Sequence, residues 1–307
     1  MNGIRARHPM PIRKGLPDRL GGACLCVALG MLALLVVPQL AFAQDDDADD
    51  TTTKAKSTLP TTYLDLRTIY TTLPANTLAI GFSNPAIAAN LGTLSSPSSR
   101  SLAVDVPFTV DVTDGVSLYG GFSASTVSTD VSSWTSVAVS SWNLGFQADV
   151  YNQNGGSIPT ITIQSTMTRS VPEFPLTTTS FNTIVEANYA LNKDETKGFL
   201  AGIQYTKVLV DSPLATVNPD IVGYVGAYYQ WDNNWKLTGR AGIQSFNGAR
   251  VLNLPPFEAF TQPILRFDLD QMDDNDNRLF GVTAQIAWTP KPSYQLILRT
   301  PLYFIRP

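Results

Sequence analysis

In residues 227–244, apolar and polar residues alternate with a period of two, and this pattern constrains the fold of the chain more than any other feature. Successive side chains of a β-strand point to opposite faces, so such a period predicts a strand with one dry face and one wet face. The turn sequence Asp232-Asn233-Asn234 lies between the two halves of this stretch, and Asn and Asp tolerate left-handed backbone. The stretch is therefore predicted to be a β-hairpin with tryptophans on either side of its turn. One face of its second half carries Trp235, Leu237, Gly239, Ala241 and Ile243, and the other carries Lys236, Thr238, Arg240, Gly242 and Gln244.

The same alternation recurs along most of the chain. About twelve strands are predicted, within a range of ten to fourteen, each near the roughly 9–11 residues with which a tilted strand crosses a membrane. Long connections follow the first, third, fifth, seventh and ninth strands, and short ones follow the others up to the eighth. Besides the hairpin, the predicted strands are 77–82 (weak), 102–112, 116–124, 142–150, 160–168, 181–189, 199–206, 265–269, 280–288 and 294–305.

The first 43 residues have the order of a secretory signal peptide. Five basic residues precede an apolar run, and Ala41-Phe42-Ala43 is an A-x-A cleavage site. A retained membrane anchor is the alternative, but the cleavage site and the acidic segment after it favour removal. Residues 1–43 are thus predicted to be a signal peptide, 44–76 a disordered acidic tail and periplasmic lead-in, and 77–307 the folded domain, with entry into the barrel as the alternative for residues 59–76.

Removal of the leader excludes several classes of function. Both cysteines and the one histidine lie in it, together with five of the 21 basic residues and one of the 25 acidic ones, so the remaining chain has a net charge of −8. Disulfides, zinc sites with Cys or His ligands, and triads that use histidine are therefore excluded, and no cofactor is predicted. An acidic chain with scattered lysines is not expected to bind nucleic acid. No later stretch has the roughly eighteen apolar residues of a membrane helix.

Three features favour a membrane barrel over the alternative, a secreted soluble β-sandwich. Long and short connections alternate, as in barrels with long outer loops and short periplasmic turns. Only 15% of the residues are charged, against roughly 25–35% for a soluble surface. Aromatic residues suited to the two membrane interfaces recur at strand ends, namely Trp142, Tyr151, Trp231, Trp235 and Trp288. The prediction is an all-β chain forming a single closed antiparallel transmembrane β-barrel.

The leader, the absence of cysteine after it, the alternation and the WDNNWKL turn together resemble Gram-negative outer-membrane β-barrel proteins of the porin or transporter type, from about Leu78 to Pro307. The resemblance implies a place in the outer membrane, contact with its lipid and lipopolysaccharide, and insertion by the barrel-assembly machinery. Two features depart from the usual pattern. Phe304 is followed by Ile305-Arg306-Pro307 where such barrels often end in an aromatic residue, and the connection 289–293 is short where a long outer loop is expected.

In a barrel, the polar faces line the lumen. Charges of both signs there have two interpretations: they set a transverse field that selects solutes, or they pair and fill the lumen. The first gives passive or facilitated passage of a small solute, and the second gives a structural or adhesive barrel with no conductance. The predicted lumen-lining residues are Asp105, Asp149, Glu186, Lys236, Arg240, Arg266, Arg299, Gln147, Gln164 and Gln204.

An acidic run near the C-terminus is a weak calcium candidate. It lacks the glycine and the distal glutamate of an EF-hand loop, so a solvated periplasmic turn without metal is the favoured interpretation. The run consists of Asp268, Asp270, Asp273, Asp274 and Asp276. No enzymatic activity is expected, because outer-membrane hydrolases rely on a histidine base and a carboxylate pair would have to lie on neighbouring strands.

Overall fold

The computed structural model describes residues 61–75, 98–113, 115–171, 177–213, 215–251, 258–273, 278–288 and 291–305. Within these residues, twelve antiparallel strands close into one barrel, and two short strands, β8 and β11, pair only with each other. The strands are β1 (Thr62–Leu73), β2 (Ser99–Thr113), β3 (Val116–Thr129), β4 (Ala138–Tyr151), β5 (Thr160–Ser170), β6 (Thr178–Ala190), β7 (Lys197–Val210), β8 (Ala215–Val217), β9 (Asp220–Gln230), β10 (Trp235–Phe246), β11 (Ala249–Val251), β12 (Phe260–Met272), β13 (Arg278–Ala287) and β14 (Ser293–Ile305).

The barrel is an up-and-down meander. Each barrel strand pairs with the next one along the chain, and β1 closes the circle on β14 from Thr62↔Ile305 to Thr72↔Tyr294. One end, the loop end, carries the connections 74–98, 130–137, 171–177, 211–219, 247–259 and 288–292; the other, the turn end, carries 114–115, 152–159, 191–196, 231–234 and 273–277. The predicted closed barrel of about twelve strands is confirmed, and the short connection before β14 lies at the loop end without changing the count.

The first strand differs from the prediction. Residues 62–73 form β1 inside the stretch predicted to be tail and lead-in, so the barrel begins at Thr62 and not at residue 77. Inward positions of β1 include the charged Asp65 and the apolar Ile69, both buried. This mixture hides the period of two on which the prediction relied. The predicted signal peptide, the tail up to residue 60 and the weak strand at 77–82 lie outside the described residues.

The outward face of the barrel is apolar and exposed. Val225 is 64% exposed, Phe199 58% and Trp231 42%, whereas the polar inward residue Gln204 is completely buried. A soluble sandwich buries its apolar faces between two sheets, so this distribution excludes the sandwich. An apolar outer belt on a closed barrel is the arrangement that a bilayer requires, because closure leaves no strand edge in contact with lipid.

The β9–β10 hairpin shows how its sequence sets the turn. The amide of Trp231 donates to the carbonyl oxygen of Trp235 at 2.8 Å, and the amide of Asn234 donates to the carbonyl of Trp231 at 2.9 Å. Asn234 has a φ of +63°, which asparagine tolerates better than most residues. The turn therefore brings the two tryptophans together at the turn end of the apolar belt.

The aromatic residues singled out from the sequence lie at both rims of the belt. Trp142 and Trp288 are near the loop end, whereas Tyr151, Trp231 and Trp235 are at the turn end. Trp231 packs edge-on against Tyr229, with ring centroids 5.3 Å apart. No helix among the described residues is long and apolar enough to cross a membrane.

Candidate functional site

The inward positions of the barrel strands carry the residues that the sequence assigned to a lumen. The direction of the side chains on these strands is shown by exposed residues at the alternate, outward positions, such as Phe199, Val225 and Ile243. Cross-strand partners share a face, so the inward rows run continuously from strand to strand. Inward positions are held by Asp105 on β2, Gln147 and Asp149 on β4, Gln164 on β5, Glu186 on β6, Gln204 on β7, Lys236 and Arg240 on β10, Arg266 on β12, and Arg299 on β14.

Arg240, on β10, links a carboxylate on the neighbouring strand β12 to a carboxylate on the more distant strand β6. Its Nη1 donates to Oδ2 of Asp268 at 2.7 Å, and its Nη2 lies 3.4 Å from Oε2 of Glu186. The hydroxyl of Tyr224 donates to the same Glu186 oxygen at 2.7 Å. The register of β6, β7, β9, β10 and β12 therefore brings side chains that are distant in sequence into one chain of charge-assisted hydrogen bonds.

Asp268 is the centre of this chain. Nη2 of Arg266 donates to its Oδ1 at 2.8 Å, and the hydroxyl of Thr283 donates to the same oxygen at 2.5 Å. With Arg240 on its other oxygen, this carboxylate is shared by two guanidinium groups. Its side chain is only 8% exposed, so the charge depends on these partners because burial away from water is costly for an unpaired ion.

A second group of charges lies nearby on β1, β12, β13 and β14. Arg278 contacts Asp270 at 2.9 Å, and Arg299 pairs with Asp65. Arg67 lies opposite Asp105 on β2 and Arg299 on β14, and Asp270 lies two residues from Asp268 on the inward face of β12. The two groups therefore share one region of the lumen. We call the whole set the arginine–carboxylate band: Asp65, Arg67, Asp105, Glu186, Arg240, Arg266, Asp268, Asp270, Arg278 and Arg299.

Half of the band was missed from the sequence. Asp65 and Arg67 lie in the stretch assigned to the lead-in, although their spacing of two puts them on one face of a strand. Asp268 and Asp270 follow the polar face of the predicted strand that begins at residue 265, but they were also counted in the acidic run interpreted as a solvated periplasmic turn. For these two residues the turn interpretation is wrong, because both lie on β12 and face inward with Arg266. Arg278, at the start of β13, lies outside the alternating pattern of apolar and polar residues, so the sequence did not predict that it faces the lumen.

The acidic run does not assemble a metal site in the described part of the chain. No group of three or more acidic, histidine or cysteine residues is placed to hold a metal ion there. Arginines occupy the carboxylates of Asp268 and Asp270. Asp273 follows the end of β12, and Asp274 and Asp276 lie outside the described residues.

The wall formed by β3, β4 and β5 is polar but carries little charge. The Tyr119 hydroxyl shares a 2.6 Å hydrogen bond with the Thr166 hydroxyl and accepts one from Nε2 of Gln164 at 3.0 Å. Gln147 is exposed although it faces inward, and Asp149 accepts a hydrogen bond from Thr162 at 2.7 Å. Solvent therefore reaches the interior along this wall.

Inward tyrosines lie across glycines on the neighbouring strand. Tyr119 covers Gly145, its partner in the β3–β4 register, and Tyr224 covers Gly202 in the β7–β9 register. A Cβ at Gly202 would meet Cζ and the hydroxyl oxygen of Tyr224 at 2.5 Å. Glycine is required here because the ring occupies the space of a side chain, and this contact aims the Tyr224 hydroxyl at Glu186.

Replacing Gly202 with valine is expected to lower the free energy of unfolding by about 1–3 kcal/mol, because overpacking forces Tyr224 off its hydrogen bond to Glu186. Gly223→Val is the matched control, since a Cβ at that outward glycine meets no atom within 4 Å. Urea unfolding in lipid vesicles, followed by tryptophan fluorescence, compares the two. Equal stability of the two variants would contradict the assigned contact.

The loop end of the interior is packed by polar side chains on β7, β9, β10 and β12. Nε2 of Gln262 donates to Oε1 of Gln244 at 2.7 Å, and Nε2 of Gln244 donates to Oδ1 of Asp220 at 3.0 Å. Gln204 and Phe246 are also completely buried. The paired strands β8 and β11 belong to the connections at this end, where Nζ of Lys207 donates to the carbonyl of Val217 at 3.2 Å. The interior is thus closed toward the loop end and more open in the turn-end half of the β3–β6 wall.

The likeness of this chain to known proteins is one of structure. No protein-family model and no curated protein sequence matches the chain. Among solved structures, an outer-membrane channel from Pseudomonas putida superposes with a TM-score of 0.52 at 12% identity, covering 84% of this chain and 100% of that chain. The translocator domain of the autotransporter NalP from Neisseria meningitidis gives 0.42 at 12% identity, covering 91% and 97%. The transport unit of the autotransporter AIDA-I from Escherichia coli gives 0.44 at 10% identity, covering 90% and 96%.

At such low identity, the likeness to the Pseudomonas channel is one of fold. That fold, the exposed apolar belt and the inward polar face together identify an outer-membrane β-barrel. The predicted localisation in the outer membrane is confirmed on the same grounds.

Proposed function

We propose that the barrel lets small polar solutes cross the outer membrane through a narrow lumen past the arginine–carboxylate band. The observation that carries this proposal is the unequal burial of the inward faces. Gln147 is exposed, and Gln164, Glu186 and Asn188 are only half-buried. Nearer the loop end, Gln204 and Gln244 are completely buried, and Thr168 on β5 and Ser180 on β6 are almost completely buried. The route therefore opens at the turn end, along the β3–β6 wall.

The band gives the route its selectivity. Arg240 and Glu186 lie beside the half-buried wall, each with about a fifth of its side chain exposed. Fixed charges of opposite sign on facing strands set a transverse field, which orients dipolar solutes and slows apolar ones. The preferred solutes are accordingly small, hydrated and polar.

A sealed structural barrel is the second candidate. Its support is the packed loop end, where the Gln262–Gln244–Asp220 chain fills one side of the interior. In that case the band only holds opposite walls together.

We propose no catalytic role, because the chain after the leader has no histidine or cysteine. Lipopolysaccharide at the belt and the barrel-assembly machinery during insertion are the proposed partners.

Reconstitution into vesicles separates the two candidates. Proteoliposomes are expected to swell in small sugars and amino acids and to show single-channel conductance. Gln147→Trp should reduce both to less than about half, because the ring narrows the most open wall. Leu144→Trp is the control, since Leu144 lies on the same strand, is 58% exposed and faces outward. Ion-tight vesicles with correctly inserted wild-type protein would favour the sealed barrel.

A further inference from the structure

An apolar groove crosses the membrane-facing wall of the barrel. It has a volume of about 700 Å³ and is lined mainly by outward side chains of β6, β7, β9, β10 and β12, together with the inward residues Leu200, Gly226 and Arg240. This volume is within the roughly 300–1,000 Å³ typical of ligand pockets. Pro159, in the turn-end connection between β4 and β5, also lines the groove, and Tyr189 lies one residue before the end of β6. The groove therefore opens in the leaflet at the turn end, and we infer that this is the periplasmic leaflet because the short turns of outer-membrane barrels face the periplasm.

Two rows of the strand register form the groove. Small residues make its floor: Ala201 on β7, Ala227 on β9, and Gly239 and Ala241 on β10. Larger residues stand at either side, with Phe199 paired to Ala227 on one side and Phe267 paired to Gly239 on the other. The floor is lower than its rims because the side chains between the two phenylalanines are small.

A lysine lies at the turn-end rim of the groove. Lys197 is the first residue of β7, two positions before Phe199 on the same outward face, and it is exposed. Its cross-strand partner is Tyr229, whose ring packs on Trp231. The Lys197 ammonium forms no hydrogen bond or ion pair with any described residue. A cation that pairs with no described residue thus lies at the turn-end rim of the apolar belt, directly below the groove.

We propose that this groove binds an acyl chain of an anionic phospholipid of the periplasmic leaflet, with the phosphate of the headgroup on Lys197. The combination of an apolar floor and an interfacial cation matches the two parts of such a lipid. A second copy of the barrel fits less well, because its convex outer wall cannot enter a groove bounded by Phe199 and Phe267.

The two parts of the site contribute differently. Lipid tails are as apolar as the groove, so retention of the chain depends on van der Waals contact with the floor and rims. Preference among headgroups depends on the charge of Lys197, which attracts an anionic headgroup more strongly than a zwitterionic one. Filling the floor should therefore abolish retention of any lipid, whereas removing the lysine should abolish only the preference.

The test uses the full chain reconstituted into vesicles of equal parts phosphatidylcholine and phosphatidylglycerol, re-extracted in mild detergent and examined by native mass spectrometry. Wild-type protein is expected to retain phosphatidylglycerol over phosphatidylcholine by about fivefold, the effect of one interfacial cation. Gly239→Leu should lose the retained lipid of both kinds. Lys197→Gln should retain lipid with no headgroup preference.

Gly223→Leu is the matched control. Gly223 is also an outward glycine, on the adjacent strand β9, but it does not line the groove, and a Cβ there meets no atom within 4 Å. It should retain lipid like the wild type. Equal retention by Gly239→Leu and Gly223→Leu, or no retention by the wild type, would overturn the proposal. A mass of two copies that is lost in Gly239→Leu would instead make the groove an interface between barrels.

Discussion

Replacing Asp268 with alanine is expected to lower the free energy of unfolding by about 3–5 kcal/mol, since truncation of one member leaves buried charges without a counter-ion. Arg240 and Arg266 both depend on this carboxylate, at 2.7 and 2.8 Å. Asp268→Asn should cost less, because the amide keeps the hydrogen bond with the Thr283 hydroxyl while losing the charge. Urea unfolding in lipid vesicles measures both variants.

The exposed pair between Arg169 and Asp211 is the control for this prediction. Nη2 of Arg169 lies 2.6 Å from Oδ2 of Asp211, but the two side chains are 38% and 47% exposed. Because exposed ion pairs contribute about 0–1 kcal/mol, Asp211→Ala should have a small effect. If Asp268→Ala and Asp211→Ala were equally mild, the band would not be a buried network.

Replacing Arg240 with glutamine is expected to make the pore about tenfold more permeable to cations relative to anions, which corresponds to a change of roughly 1.4 kcal/mol in the relative energy of the two ions. The substitution leaves Asp268 paired with Arg266, and Glu186 keeps the hydrogen bond from Tyr224. The net charge of the band therefore falls by one while most of its contacts remain. Reversal potentials in a salt gradient measure the ratio.

Lys197→Gln is the control for ion selectivity. It removes the same charge from the outward face at the turn end, where it does not line the lumen. Its reversal potential should equal that of the wild type. An Arg240→Gln pore with unchanged selectivity would mean that ions do not pass the band, and the route along the β3–β6 wall would have to be rejected.

The hairpin at residues 227–244 was predictable because the alternation of its strands and the composition of its turn indicate the same structure. Its outward face is apolar, its inward face is polar, and Asn234 can adopt the left-handed conformation that the turn requires. The strand at 62–73 was not predictable in the same way. Its inward face contains Asp65, Arg67 and Ile69, so polarity does not alternate, and only pairing with β2 and β14 reveals it as a strand.

Some features of the candidate site could likewise be predicted from the sequence, and others could not. Arg240 and Arg266 could be assigned to the lumen because parity alone decides the face of a strand residue. The contact of Arg240 with both Glu186 and Asp268 depends on the stagger of β6, β10 and β12 around the barrel, which no local pattern encodes. Gly202 gave no signal of its own, since its role appears only when Tyr224 lies across it.

The sequence by itself determined the fold class, the approximate number of strands and the face on which most side chains lie, because these depend on a period of two and on connection lengths. The tertiary structure alone decided where the barrel closes and which charges meet. It also shows that outward alanines and glycines leave a groove beside Lys197. Closure of the barrel, ion pairing across the lumen and the depth of the groove all depend on residues of separate strands. The distances between those residues are fixed only when the strands pair in a defined register.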